Sequence, residues 1–87
     1  MAVIAEPTPN PNAMKFTVDN VIFEGDDSIS VMQGETSDFD IMNDLMSMDG
    51  VDNVFGYYNF ITVNKQFNAD WDELSPKVEQ LIESYGY

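Results

Sequence analysis

The chain has 87 residues and a formal net charge of −13, set by 16 carboxylates against Lys15, Lys65 and Lys77, and it contains neither cysteine nor histidine. Disulfides, structural zinc, thiolate ligation and imidazole acid–base catalysis are therefore closed to these residues, and any metal site must be built from oxygen, which selects hard cations or weak iron binding. Nucleic acid and anionic membranes are disfavoured as partners because binding them requires cationic neutralisation, whereas a basic protein surface or a cation is compatible.

An apolar fraction of 44% supports one core and one domain over residues 1–87. The start, Met1 to Ala5, has no positive region ahead of a long apolar run, so it is not expected to be a signal peptide. No stretch approaches the roughly 18 apolar residues of a spanning helix, and a cytoplasmic location is expected.

Ala2 to Ala5 is a short apolar run that reads as a first strand. Pro7, Pro9 and Pro11 then exclude helix from Glu6 to Asn12, and Asn10 and Asn12 favour turns, which predicts a stiff loop. Met14, Phe16 and Val18 alternate with polar residues, as on one face of a strand. Val21 to Phe23 is apolar and ambiguous. Ser28 to Met32 reads as a strand with Ile29 and Val31 inward. Ser37-Asp38-Phe39-Asp40 has the form of a capping box with Ser37 as N-cap, and Phe39, Ile41, Met42, Leu45, Met46 and Met48 form an apolar stripe that Gly50 would stop. Val51 to Phe55 and Phe60 to Lys65 read as two strands joined by a Gly56-Tyr57-Tyr58-Asn59 hairpin loop. Asn68 or Asp70 caps a last helix carrying Trp71, Leu74, Val78, Leu81, Ile82 and Tyr85. Pro76 leaves two readings there: a kinked helix, or a separate turn followed by a helix starting at Ser75-Pro76. The sum is an α+β fold, two-layer, with an antiparallel sheet of four to five strands and two helices on one face.

Two stretches carry more than periodicity. One is Thr8-Pro9-Asn10-Pro11-Asn12-Ala13-Met14-Lys15-Phe16. The other is Gly50-Val51 with Val54-Phe55, followed by Phe60-Ile61-Thr62-Val63 and Lys65; Trp71 and Pro76 complete the pattern. Together they resemble the N-terminal domain of the Nfu/NifU-type iron–sulfur scaffold proteins, over nearly the whole chain. The family commonly shows Ser-Pro-Leu-Ala where Ser37 to Asp40 stands here, and Asp where Asn59 stands. Its members usually hold their cluster through a Cys-x-x-Cys pair in a second domain, which these Cys-free residues cannot supply. The resemblance implies an interaction or positioning module in cluster assembly, and also a possible association with iron, here through carboxylates alone.

Without His or Cys no recognisable nucleophile–base pair is present, and no catalytic motif stands out, so no enzyme activity is expected. For protein contact, Thr8, Asn10 and Asn12 in the rigid loop and Tyr57, Tyr58 and Asn59 at the hairpin are the candidate residues. For a cation the candidates are Asp38, Asp40 and Asp44, with Asp40 and Asp44 four apart on one helix face; helix capping and dipole effects explain the same residues with no metal. Three functions follow: a non-catalytic module that binds cluster-assembly or cluster-bearing proteins, a carboxylate-based iron binder, or an acidic mimic occupying a basic surface.

Overall fold

The computed structural model describes residues 3–87. Its elements run β1 (Ile4–Pro7), β2 (Ala13–Thr17), β3 (Ile29–Val31), α1 (Asp40–Met46), β4 (Val51–Tyr57), β5 (Phe60–Lys65) and α2 (Trp71–Ser84). The strands form one five-stranded sheet in the order β1-β2-β5-β4-β3, antiparallel throughout. This is the expected α+β architecture.

Because side chains alternate along a strand, the pairing separates two faces. Phe16 lies opposite Ile61, Val54 opposite Val63, and Val31 opposite Val54. These residues are buried and join Ile41, Met42 and Leu45 of α1 and Leu74, Val78 and Ile82 of α2 in one core. On the other face Thr17, Phe60 and Tyr57 form one row, and Lys15, Thr62, Phe55 and Ser30 form the next.

Several boundaries differ from the sequence reading. The first strand is Ile4–Pro7, not Ala2 to Ala5, and Ala2 lies outside the described residues. Pro7 is tolerated because β1 is an edge strand. The third strand is trimmed to Ile29–Val31. Val21 to Phe23 is no strand of the sheet, yet Ile22 and Phe23 are core residues. Their N–H groups both donate to the Tyr58 carbonyl, at 2.8 and 2.9 Å.

Ser37 does not cap α1. Its Oγ accepts from Phe39 N–H at 3.1 Å, and its own backbone N–H and C=O are paired with the Asn43 side-chain amide at 2.7 and 2.8 Å. Phe39 takes the N-cap position with extended backbone and no side-chain cap, because its ring packs edge-on against Phe23 with centroids 4.9 Å apart. The helix is correspondingly short, and Asp44 falls in its second half instead of at its start. It ends on Ser47, and Gly50, at φ +96°, turns the chain into β4.

No separate helix starts at Ser75-Pro76: α2 runs as one helix from Trp71 to Ser84 through Pro76, and Asp70 is its N-cap, accepting from Asp72 N–H at 2.9 Å. Pro76 leaves the Asp72 carbonyl without its helical donor, but both residues are exposed, so water can satisfy that carbonyl.

Gly56 is a strand residue, not part of the turn, and the loop is only Tyr58-Asn59. A Cβ at Gly56 would meet the Phe23 ring at 2.4 Å. Gly56→Ala should therefore lower stability by about 1–3 kcal/mol, through a displaced ring in a closed core. Urea unfolding should show a lower midpoint with unchanged slope, and Phe23→Leu in the same chain should recover part of the loss.

Candidate functional site

The loop from Thr8 to Asn12 is built by its own polar groups. Thr8 Oγ1 lies 2.9 Å from the Asn10 carbonyl and 3.0 Å from that of Ala13, and it also accepts from Asn10 N–H at 3.2 Å. Asn10 Oδ1 accepts from Asn12 N–H at 3.0 Å, and Ala13 N–H donates to the Asn10 carbonyl at 3.0 Å. Pro9 and Pro11 fix φ while these bonds fix the turn, so little entropy remains to be lost if the loop makes a contact.

Two residues distant in sequence hold the loop to the body. Lys65 donates from its backbone N–H to the Asn12 carbonyl at 2.8 Å and from Nζ to Asn12 Oδ1 at 3.1 Å. Trp71, the first residue of α2, donates from Nε1 to the Pro11 carbonyl at 3.1 Å, and its ring tilts against Phe16 with centroids 6.2 Å apart. Trp71 is thus half core and half clamp. Neither bond has a local sequence signal; the Trp71 bond joins residues 60 positions apart.

Beyond Lys65 the chain turns sharply. Gln66 N–H donates to the Gly50 carbonyl at 2.7 Å and Ala69 N–H to the Gln66 carbonyl at 3.0 Å. Phe67 stands between these two anchors with 92% of its surface exposed. Beside it opens a cleft of about 570 Å³ between the end of α1 and the start of α2, with Met46, Met48, Asp49, Asp70, Glu73 and Lys77 among its lining. The cleft is polar and acidic, with a single lysine.

The six residues proposed for contact do not form one surface. Thr8, Asn10 and Asn12 lie at the end of the sheet where Ala13 meets Asn64, whereas Tyr57, Tyr58 and Asn59 lie at the end where Thr17 meets Phe60. Along β5 those ends are about 13 Å apart. The hairpin residues also serve the fold. Asn59 Nδ2 donates to the Val18 carbonyl at 3.1 Å, and Tyr58 adopts a positive φ of 51° while its carbonyl receives Ile22 and Phe23. Tyr58 is exposed and Tyr57 packs its ring edge-on toward Phe60, centroids 6.1 Å apart.

The candidate cation ligands Asp38, Asp40 and Asp44 do not converge: among the described residues no group of three carboxylates is placed to hold a metal ion. Asp38 precedes the helix, and Asp44 accepts a hydrogen bond from the Tyr85 hydroxyl across from α2. That bond, with the neighbouring charges of Asp44 and Asp40, pushes the Tyr85 phenol up to about 12.

Two outcomes follow. Trp71→Phe keeps a ring near Phe16 but loses the bond to Pro11, so it should cost about 1 kcal/mol and speed hydrogen exchange at the Lys65 amide, which reports the Asn12 bond. In a tyrosine-ring NMR titration, Tyr85 should remain protonated as pH rises through 10 and ionise near 12. Its folded pKa exceeds the unfolded value, so the link between the helices is complete below pH 10 and is lost as pH climbs through 12; Asp44→Asn should return the titration toward 10.

The chain's similarities accord with this geometry. Residues 3–87 match the family described as scaffold protein Nfu/NifU, N terminal. Conserved virulence factor C of Staphylococcus haemolyticus is 29% identical over 82 residues, a match covering 94% of this chain and 22% of that protein. The protein of the same name from Staphylococcus aureus strain MRSA252 is 33% identical over 76 residues, covering 85% and 20%. The chain thus spans about a fifth of the length of these relatives. The crystal structure of protein SAV1430 from Staphylococcus aureus superposes with a TM-score of 0.82 at 34% identity, covering 94% of this chain and 99% of that one. A solution structure from Staphylococcus epidermidis gives 0.62 at 27% identity, covering 98% and 99%. With its proline–asparagine loop, clamping tryptophan and five-stranded sheet, the chain belongs to the Nfu/NifU N-terminal scaffold family.

Proposed function

We propose that this chain is a non-catalytic interaction module of iron–sulfur cluster assembly, binding cluster-assembly or cluster-bearing proteins while other polypeptide supplies the cysteine ligands. The observation that carries this reading is the family match over residues 3–87 in a sequence without cysteine or histidine. A scaffold-family domain that cannot ligate a cluster through thiolate or imidazole still retains surfaces for contact. The pinned loop from Thr8 to Asn12, with Phe67 and the adjoining cleft, supports the reading because it is polar, accessible and already ordered.

The carboxylate-based iron reading has no specific observation in its favour. Asp38, Asp40 and Asp44 are spread over a loop and a short helix, and Asp44 already has a protein partner. The acidic-mimic reading likewise finds its carboxylates at helix starts and loops instead of in a phosphate-like row.

The deciding experiment is affinity capture from anaerobic lysate of the source organism at physiological ionic strength, with the bound proteins identified by mass spectrometry. Enrichment of cluster-assembly or cluster-bearing proteins is expected, and a capture that returns none of them would sink the reading. In parallel, Fe(II) titrated into isotopically labelled protein should broaden many carboxylate-adjacent amides weakly and without saturation. Saturating broadening confined to Asp38 to Asp44, absent with Mg(II), would transfer the function to iron handling.

A further inference from the structure

Both helices pack on one face of the sheet, leaving the rows Thr17-Phe60-Tyr57 and Lys15-Thr62-Phe55 on the other. These side chains are only half-buried. Phe60 is their hub: its centroid lies 6.3 Å from that of Phe55 and 6.1 Å from that of Tyr57, and Lys15 Nζ sits 4.4 Å above its ring. Ile4, on the edge strand opposite Thr17, is 56% exposed.

The charge on this face contrasts with the rest of the molecule. In a chain of net charge −13, strands β2 and β5 carry no carboxylate. Acids appear at the margins instead. Glu6 lies opposite Lys15 on β1, Asp52 accepts from Asn53 Nδ2 at 2.9 Å beside the Asn53–Asn64 side-chain pair, and Asp19 follows Thr17 by two residues. The centre is aromatic and uncharged apart from Lys15, whose ammonium already rests on Phe60.

We propose that this face docks an amphipathic helix of a partner protein, apolar along its centre and cationic along its flanks. The proposal rests on the interaction-module reading and names where the partner sits and what chemistry it presents. A helix laid on the bare face completes a third layer, a standard way to cover an apolar sheet surface. About 12 helical residues match the roughly 17 Å of β5. Strand addition is the poorer mode, because one edge strand ends in Pro7 and the other has three residues. The cationic flanks follow from Glu6, Asp19 and Asp52 at the margins and from the long-range pull of the net charge, while the acid-free centre spares carboxylates from desolvation on docking. A second copy is the wrong occupant: it brings another −13 and the same acidic margin.

The test titrates the labelled chain with a synthetic Leu/Lys peptide of about 18 residues, its leucines on one helical face, alongside a scrambled peptide of equal composition and a Leu/Glu counterpart. Saturable shifts are expected at Lys15, Thr17, Phe55, Tyr57, Phe60 and Thr62, with both controls at least about tenfold weaker. Phe60→Ser and Thr62→Lys, each checked for the wild-type pattern of core amide signals, should each weaken the Leu/Lys peptide by about tenfold or more. Shifts confined to Asp38 to Asp44 or to α2, or equal affinity for the scrambled peptide, would overturn the proposal. So would self-association through these residues that strengthens with added salt. Capture of cluster proteins that persists undiminished in Thr62→Lys would remove this face from the contact and leave the interaction module standing. No capture by the wild-type chain, with the peptide still mapped to the face, would do the reverse.

Discussion

The fold depends on one aromatic ring packed where a side chain is missing. Phe23 lies against the bare backbone of Gly56 in β4, receives the edge of Phe39 at a centroid distance of 4.9 Å and is buried to 1% exposure. That arrangement fixes three things together. The Val21 to Phe23 segment must run past the hairpin tip, where the Tyr58 carbonyl accepts two of its N–H groups. Phe39 must stay extended to reach Phe23, which delays the start of α1 to Asp40. The adjoining inward residues of β3, β4 and β5 are left to close the rest of the core. With 87 residues the core is small, so a single misfit at this point is felt by every element around it.

Away from that ring, the molecule divides its surface by charge. The helix side and the loops carry most of the carboxylates, whereas the outer sheet face is aromatic, threonine-rich and nearly acid-free. This much negative charge repels another copy of the chain and a phosphate backbone at long range. A partner that docks without burying unpaired carboxylates has few places to do so. The loop from Thr8 to Asn12 is a second ordered surface, held rigid by bonds to Lys65 and Trp71. The loop and the outer sheet face are thus two separate ordered surfaces on a Cys-free member of a scaffold family.

Much of the architecture was legible in the chain. Alternation in Met14 to Val18 and Phe60 to Lys65 located two central strands, and the spacing of Leu74, Val78 and Ile82 located α2, because these patterns are local consequences of backbone period. Boundaries failed where a distant partner overrode local preference. Ser37 had the chemistry of an N-cap, but Asn43 claimed its backbone and Phe39 was held extended by Phe23. Gly56 looked like a turn residue because glycine commonly is one; its role as a seat for Phe23 needs both residues in view. Pro76 left two readings of α2, settled by an exposed carbonyl that water can reach. The candidate contact residues were chosen one by one as polar or aromatic loop positions, and the register of β2 on β5 sends them to opposite ends of the sheet.

The sequence by itself determined the exclusions and the class: no thiolate, no imidazole, a strongly acidic chain of α+β type, and a family signature in the proline–asparagine loop and the two strands of the hairpin. Those follow from residue identity and short-range period, which no packing can alter. Only the tertiary structure decided that Trp71 clamps the loop, that Asp44 meets the Tyr85 hydroxyl, that Phe67 stands exposed beside a cleft, and that the acids leave one sheet face almost free. Each of these joins residues far apart in the chain, and their meeting is set by strand order and helix placement, which local patterns do not encode.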